Sequence, residues 1–431
     1  MSLYASFLVV DIYFISALGV ESLAGVSLVF PFLILLFSTV GGGIGISSSK
    51  LVSQRIGSKQ YRNLNKIAFA TIFLSLLISG IYIIGYLLFF DRFLESIDIS
   101  IDSRIAASDF AVPVFLGSPI AAMSIAISGL LRSEKDLLTP VQMLFAGGVV
   151  NVILDPLLIF GCGFVPGLGV AGAGLATIIG FIISSLIGFR KISSRRSHFH
   201  VDLLEFRITF KLCMKIIRSA IPIVLTILTN NVVALCITVM LAKLGTQEVA
   251  AYGLLTRLEY VITIAMTGIG SSAVALGGIE LGAGRMSGFA DVTKKCGLLA
   301  TSLVVWIAIA LFHSPHLWFD LFSSDVWVRE FGHQYLNVVS LTYPFFALGL
   351  VYSYAYQALD LGYFSLGLAL VRGLFVALPG TIAVVYLNFP LVLMPIAIAT
   401  SFATHGLISC FMFQSWVNQV RGELVRSPVS L

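Results

Sequence analysis

Apolar windows recur along the whole chain, separated by short polar connections, and each is close to the ~20 residues that cross the hydrocarbon core of a bilayer. Twelve such windows predict twelve transmembrane helices. They cover roughly residues 1–18, 26–49, 67–90, 108–131, 141–161, 170–190, 217–242, 250–276, 296–313, 334–358, 363–386 and 390–417. The pattern therefore predicts an all-α polytopic membrane protein.

Composition excludes a soluble protein. Of the 431 residues, 58% are hydrophobic and only 11% are charged, whereas soluble domains carry about 25% charged residues. The net charge of +5 comes mostly from loops on one side, such as 50–66 and 190–218, while acidic residues dominate loops on the other, such as 91–102. By the positive-inside rule we expect both termini in the cytoplasm. The expected location of the protein is the inner (plasma) membrane.

Two copies of a motif divide the chain into halves. The glycine-rich stretch Gly43–Ser48 resembles Gly268–Ala273, and the same spacing relates Pro119 to Pro344. A direct repeat of six spans gives two copies of one orientation, as in transporters built from parallel repeats. We expect an N-terminal six-helix lobe (1–190), a basic cytoplasmic linker (191–216) and a C-terminal six-helix lobe (217–431), related by pseudo-symmetry around a central cleft.

A carboxylate lies within the fifth predicted span. Asp155 is four residues from Asn151, so both lie on one helix face, and Pro156 frees a backbone carbonyl nearby. A charged group in a membrane is costly and usually faces the protein interior. These oxygens suit a proton or a small hard cation. The alternative is a structural role, in which Asp155 only hydrogen-bonds the backbone freed near Pro156.

Charged residues also occur in the second half, where Arg257 and Glu259 lie in span eight and Arg372 in span eleven. They are candidates for a polar network, with structural pairing as the alternative. The five cysteines show no spacing typical of disulfides or zinc sites, and the chain contains no phosphate-binding loop for ATP.

The chain resembles the multidrug and toxic compound extrusion (MATE) transporters, in particular the DinF-like branch. The likeness covers nearly the whole chain and is carried by residues 10–15, 18–25, 52–57, 130–136, 151–156, 169–177, 268–284 and 372–379. In the NorM-like branch a glutamate occupies the position of Asn230, and its absence here separates this chain from that branch.

The resemblance implies a twelve-helix, two-lobe antiporter that exports organic, often cationic and lipophilic, compounds by alternating access in exchange for H⁺ or Na⁺. The residues that match the family's cation-coupling positions are Asp11, Asn151, Asp155 and Thr177. Two carboxylates held together at low dielectric cannot both ionise cheaply, so Asp11 and Asp155 would share a proton or a cation. Na⁺ at Asp11, Asn151 and Asp155 is the only metal expected.

The expected partners are small organic molecules and membrane lipid, not nucleic acid, and we expect a monomer. No cofactor is expected beyond the coupling ion. A flippase of lipid-linked precursors from the same superfamily and a non-transporting membrane scaffold are the alternatives. An intramembrane enzyme would need a base, nucleophile or metal constellation that the sequence does not contain.

Overall fold

The computed structural model describes residues 13–96, 100–163, 166–194, 197–199, 209–322 and 325–426. Within these ranges, eleven helical segments are long and apolar enough to cross a membrane. The predicted all-α polytopic fold is therefore confirmed. The first predicted span, 1–18, lies mostly outside the described residues, of which 13–16 are helical.

Backbone contacts divide the chain into two compact units, Met1–Ile221 and Pro222–Leu431. The first unit contains helices α1 (Val20–Phe37), α2 (Ile46–Gly57), α3 (Leu64–Ser96), α4 (Ile101–Ser133), α5 (Leu138–Phe160) and α6 (Val170–Ile192), and the start of α7 (Phe210–Leu241). The predicted linker, 191–216, is described only at 191–194, 197–199 and 209–216.

A π-helical turn, Ser38–Gly45, joins α1 and α2 into one continuous span. This span is longer than the predicted window 26–49 because a polar stretch extends it at its end. Lys50 and Ser53, which follow the window, are both buried in that stretch. An apolar window misses such residues because they face protein rather than lipid.

Helices α5 and α6 pack closely because glycines face each other. A Cβ added to Gly180 would lie 2.8 Å from the carbonyl oxygen of Gly147, and one added to Gly172 would clash with the carbonyl oxygen of Leu158. Small residues let membrane helices approach to backbone contact. The same face of α5 carries Asn151, whose Cβ lies 3.5 Å from the added atom at Gly180.

The second unit contains the rest of α7 and α8 (Thr246–Gly282), α9 (Met286–His313), α10 (His316–Phe322), α11 (Val326–Val339), α12 (Tyr343–Ala358), α13 (Gly362–Leu370), α14 (Leu378–Leu387) and α15 (Leu393–Arg426). Helix α12 packs against α8, α9 and α15 around one apolar core. A second π-helical turn, Val371–Ala377, joins α13 to α14.

Helix α11 was not predicted as membrane sequence before residue 334, yet it begins at Val326. Asp325 caps it, since its Oδ1 accepts a hydrogen bond from the backbone N–H of Val328 at 3.0 Å. The helix is amphipathic, with one buried face that includes Phe331 and Tyr335. Because its other face carries Arg329 and Glu330, the first part of the helix, 326–333, falls outside the predicted apolar window.

Candidate functional site

Asn151 and Asp155 form a hydrogen-bonded pair inside the first unit. Both side chains are fully buried, and Asn151 Nδ2 donates to Asp155 Oδ1 at 3.3 Å. The four-residue spacing on α5 produces this contact, because residues four apart meet on one helix face. A carboxylate is therefore held within a membrane-spanning helix, next to an amide that also offers an oxygen.

Thr177 lies on α6 at the level of Asp155. The glycine contacts set the register of this antiparallel pair, since Gly180 faces Asn151 and Gly172 faces Leu158. Asp155 falls between those two levels on α5, as Thr177 does on α6. Thr177 is buried, and its Oγ1 donates to the carbonyl of Ala173 at 3.1 Å. The hydroxyl oxygen keeps an acceptor lone pair.

The fourth candidate, Asp11, lies outside the described residues. Its predicted partnership with Asp155 therefore stays a prediction. Among the described residues, no three His, Cys, Asp or Glu side chains come together as a metal-binding group.

In the second unit, Arg372 and Glu259 each contact a neutral partner. Arg372 lies in the π-helical turn Val371–Ala377, and its Nη2 donates to Asn230 Oδ1 at 2.6 Å. Glu259 on α8 accepts a hydrogen bond from the hydroxyl of Tyr335 at 3.2 Å. π-helical turns are rare and frequently occur at functional sites, so this place in the unit is a second candidate site.

Arg257 belongs to the predicted polar network by sequence, but the structure does not bring it there. Its side chain is exposed, while Glu259, two residues on, is partly buried. Residues two apart on a helix point to different faces, which explains the separation. Within the described part of the chain, Arg257 has no hydrogen bond or ion pair.

Sequence reasoning missed Tyr335 and did not link Asn230 to Arg372. The second contact joins residues 142 positions apart, and Glu259 and Tyr335 are 76 apart. Neutral amides and tyrosines are common in such a chain, so neither type marked a site. The signal that pointed to Asn230 was its place where the NorM-like branch carries an acid.

A buried acid outside the membrane spans was also missed. Glu134 follows α4, and its Oε1 accepts hydrogen bonds from Ser197 Oγ at 2.8 Å and from the backbone N–H of His198 at 3.0 Å. Burial raises the pKa of the Glu134 carboxyl to about 7, and the two hydrogen bonds oppose that shift. Nearby, Lys191 Nζ lies 3.1 Å from Asp136 Oδ2. The two hydrogen bonds to Glu134 attach segment 197–199 to the α4–α5 loop.

Comparison with known proteins places this arrangement in a family. The MatE family model matches residues 1–157 and 222–382. An FAD transporter of Shewanella oneidensis is 28% identical, over 86% of this chain and 82% of its own length. The multidrug export protein MepA of Staphylococcus haemolyticus is 24% identical, over 85% and 80%.

Solved structures show the same fold. A MOP superfamily transporter from Pyrococcus furiosus superimposes with a TM-score of 0.89 at 21% identity, covering 98% of this chain and 93% of its own. The matched family model covers more than half of the chain, and the relatives it resembles are transporters. The chain belongs to the MatE family and is a transporter of small molecules, not an enzyme.

Proposed function

We propose that this transporter is an antiporter that exports organic, often cationic and lipophilic, compounds in exchange for H⁺ or Na⁺ by alternating access. The observation that carries the proposal is the fully buried Asn151–Asp155 pair, with its 3.3 Å hydrogen bond, inside a membrane-spanning helix. A carboxylate at such depth is costly and is retained mainly where ions or protons pass.

The chemistry of the pair supports cation coupling. Asp155 supplies a carboxylate, and Asn151 and Thr177 supply neutral oxygens at the same level of the helix pair. Hard cations prefer oxygen ligands of this kind, and a carboxylate can equally take a proton. Asp11, which precedes the described residues, is proposed as the fourth member.

Coupling requires that the cation and the exported compound favour different states of the protein. A ligand shifts a conformational equilibrium only by its differential affinity for the two states. We propose that the cation loads at Asp155 from outside the cell and that its binding favours release of the compound. The protein would act as a monomer in the inner membrane, with both termini in the cytoplasm.

The test is export of a fluorescent lipophilic cation from proteoliposomes under separately imposed proton and sodium gradients. We expect one gradient to drive export in the wild type and Asp155→Asn to lower that export by roughly tenfold or more, since a neutral amide cannot exchange a proton or balance a cation's charge. Asp291→Asn is the matched control, because it removes an exposed carboxylate on α9. Equal export by Asp155→Asn and the wild type would refute the coupling role.

The FAD transporter of Shewanella oneidensis gives a reason to include a second cargo. FAD should be loaded into the same vesicles and followed by its own fluorescence. Gradient-driven movement of FAD alone would replace the lipophilic cation as the proposed substrate and leave the coupling site unchanged. Movement of neither cargo, under either gradient, would favour the flippase alternative.

A further inference from the structure

A cavity of about 400 Å³ lies in the first unit, between helices α1, α3 and α4. Its walls are mostly aromatic. Tyr86 stacks on Phe115 with ring centroids 4.7 Å apart, and the ring of Phe32 meets that of Phe93 edge-on at 5.3 Å. Protein interiors contain few voids larger than a water molecule, and this volume is typical of pockets that hold a ligand. The cavity therefore requires an occupant.

The cavity opens toward the hydrocarbon of the membrane. Its lining includes Ile81 and Phe89, whose side chains are 59% and 61% exposed. Every exposed residue of α3 from 76 to 90 is apolar. A continuous exposed apolar face on a membrane-spanning helix is in contact with lipid, because water at such a surface would be costly. Hydrocarbon is therefore the medium from which this cavity is filled.

The cavity has the length of one acyl chain. Its lining residues on α3 extend from Ile81 to Phe93, a distance of about 18 Å along the helix. The hydrocarbon of one leaflet is about 15 Å deep, half of the whole core. Phe93 lies close to the end of α3 at Ser96, so this end of the cavity reaches the membrane boundary.

Two arginines lie beyond that end of the cavity. Arg104 precedes Phe115 on α4 by eleven residues, which is about three helical turns, so both lie on one face. Arg92 follows the cavity residue Gly85 by seven residues on α3, which is about two turns. Arg104 Nε is buried and has no hydrogen-bond partner in the described residues. A buried donor of this kind indicates a ligand with an acceptor oxygen.

The charges at this end of the cavity fit a phospholipid headgroup. A phosphate offers a guanidinium two acceptor oxygens at once. The acidic residues at the same ends of α3 and α4, Asp91, Glu95 and Asp102, are exposed, and a primary ammonium pairs with such carboxylates. Phosphatidylethanolamine carries a phosphate and a primary ammonium on one headgroup, so it satisfies both sets of charges.

We propose that the first unit binds one molecule of phosphatidylethanolamine, with its phosphate at Arg92 and Arg104 and one acyl chain in the aromatic cavity. The lipid joins α1, α3 and α4 from the side of the membrane. This site involves neither the coupling ion nor the exported compound, and its occupancy can be measured without transport.

The test uses the full-length protein in nanodiscs of phosphatidylcholine that contain increasing amounts of a phosphatidylethanolamine with a photoreactive diazirine in one acyl chain. After irradiation, mass spectrometry of the digested protein locates the label. We expect label on the cavity residues of α3, between 81 and 93, that saturates as the probe fraction rises. Lipid in ordinary contact with the protein would label it in proportion to the probe fraction.

Gly85→Leu should fill the cavity, because a Cβ at Gly85 meets nothing within 4 Å. We expect the cavity label to fall by roughly fivefold or more, since the leucine side chain takes the place of several methylenes of the lipid. Gly85→Ala leaves most of the cavity open and should lower the label less. This graded loss, together with unchanged melting temperatures in detergent, distinguishes filling of the cavity from misfolding.

Gly80→Leu is the matched control. Gly80 lies on the same helix, and a Cβ there also meets nothing within 4 Å, but Gly80 does not line the cavity. Its label should stay within about twofold of the wild type, as for a substitution that removes no contact. Equal labelling of Gly85→Leu and Gly80→Leu would mean ordinary lipid contact and overturn the proposal.

The headgroup contact is tested with Arg104→Gln. We expect the probe fraction at half saturation to rise by roughly tenfold, the usual value of a charged hydrogen bond. Arg62→Gln is the control, because it removes an exposed arginine just before α3, at the opposite end of that helix. Equal half-saturation in the two variants would overturn the assignment of the phosphate.

Competition identifies the occupant. Unlabelled phosphatidylethanolamine should displace the probe from the cavity, and the fluorescent lipophilic cation used for export should not. Displacement by that cation would assign the cavity to exported compounds and overturn the lipid proposal. These outcomes are separate from those for coupling, which depend on Asp155 and on ion gradients.

Discussion

At the scale of single residues, the closest constraint lies between α5 and α6. Gly180 faces the backbone of Gly147, where an added Cβ would be 2.8 Å from a carbonyl oxygen that cannot rotate away. Gly80 on α3 is different, because a Cβ there would meet nothing within 4 Å. A side chain is thus excluded at Gly180 but fits without contact at Gly80.

We predict that Gly180→Ala destabilises the protein by about 1–3 kcal/mol, the usual cost of overpacking, and that it disturbs Asn151 on the facing helix. Gly80→Ala should be neutral or slightly stabilising, since alanine favours helix and loses less chain entropy on folding. Thermal unfolding of both variants in the same detergent tests this. Similar melting temperatures for the two variants would contradict the packing argument.

The type of each residue also determined which site residues could be predicted from the sequence. Asp155 and Asn151 were found because an acid within an apolar run is rare, and their spacing gave the hydrogen bond seen in the structure. The partners of Arg372 and Glu259 come from distant helices, and their identity depends on how those helices pack. Tertiary packing of common residue types leaves no periodic signal along the chain.

At the scale of elements, the α4–α5 loop holds segment 197–199 through Glu134. Charged or titratable groups around this acid are Asp136 and Lys191 beside it and His198 on the attached segment, whose ring stacks on Tyr61. Phe199 anchors the segment further by inserting its fully buried ring into the core of the first unit. The attachment thus combines polar contacts to one titratable acid with a ring stack and the burial of one apolar side chain.

We predict that this attachment weakens as pH rises. The pKa of Glu134 is raised to about 7 when the segment is attached, so the attached state binds the proton more tightly than a state with Glu134 in water. Stabilisation is complete below the ordinary carboxyl pKa and is lost as pH rises through about 7. Hydrogen exchange of the His198 amide, corrected for intrinsic rates, should accelerate over that range.

Glu134→Gln should remove this pH dependence and keep the acceptor for Ser197 and His198. The matched control is Asp136→Asn, which removes a neighbouring acid that does not bond to the segment. A corrected exchange rate that stays constant from pH 5 to pH 8 in the wild type would contradict the prediction.

The sequence predicted which segments form membrane-spanning helices better than it predicted where those helices begin and end. Apolar windows identified the spans because lipid demands long hydrophobic helices. Buried Lys50 and Ser53 extend the second predicted span beyond its window, and an amphipathic helix extends the tenth predicted span back to Val326. The two π-helical turns were not predicted, since their residues fit an ordinary helix equally well. Only the packed structure of each unit shows where an α-helix changes to a π-helical turn.

At the scale of the whole molecule, the proposed exchange makes a thermodynamic demand. If the cation at Asp155 weakens binding of the exported compound, the compound must weaken binding of the cation by the same factor. We predict a coupling of about 1–3 kcal/mol, measured by calorimetric titration of the compound at two pH values or two sodium concentrations. Asp155→Asn should bind the compound with one affinity under all conditions.

The π-helical turn Ser38–Gly45 also shows how the span formed by α1 and α2 could gain or lose one residue during evolution. A π turn carries one residue more than a turn of α-helix. An inserted residue is therefore absorbed in the turn, and the same faces of α1 and α2 stay toward the protein. In a regular α-helix the insertion would rotate all following residues about the helix axis. The run Gly41–Gly43 lies inside that turn. A homologue that lacks one of these glycines should therefore show an unbroken α-helix here, with the same residues of α1 and α2 turned toward the protein.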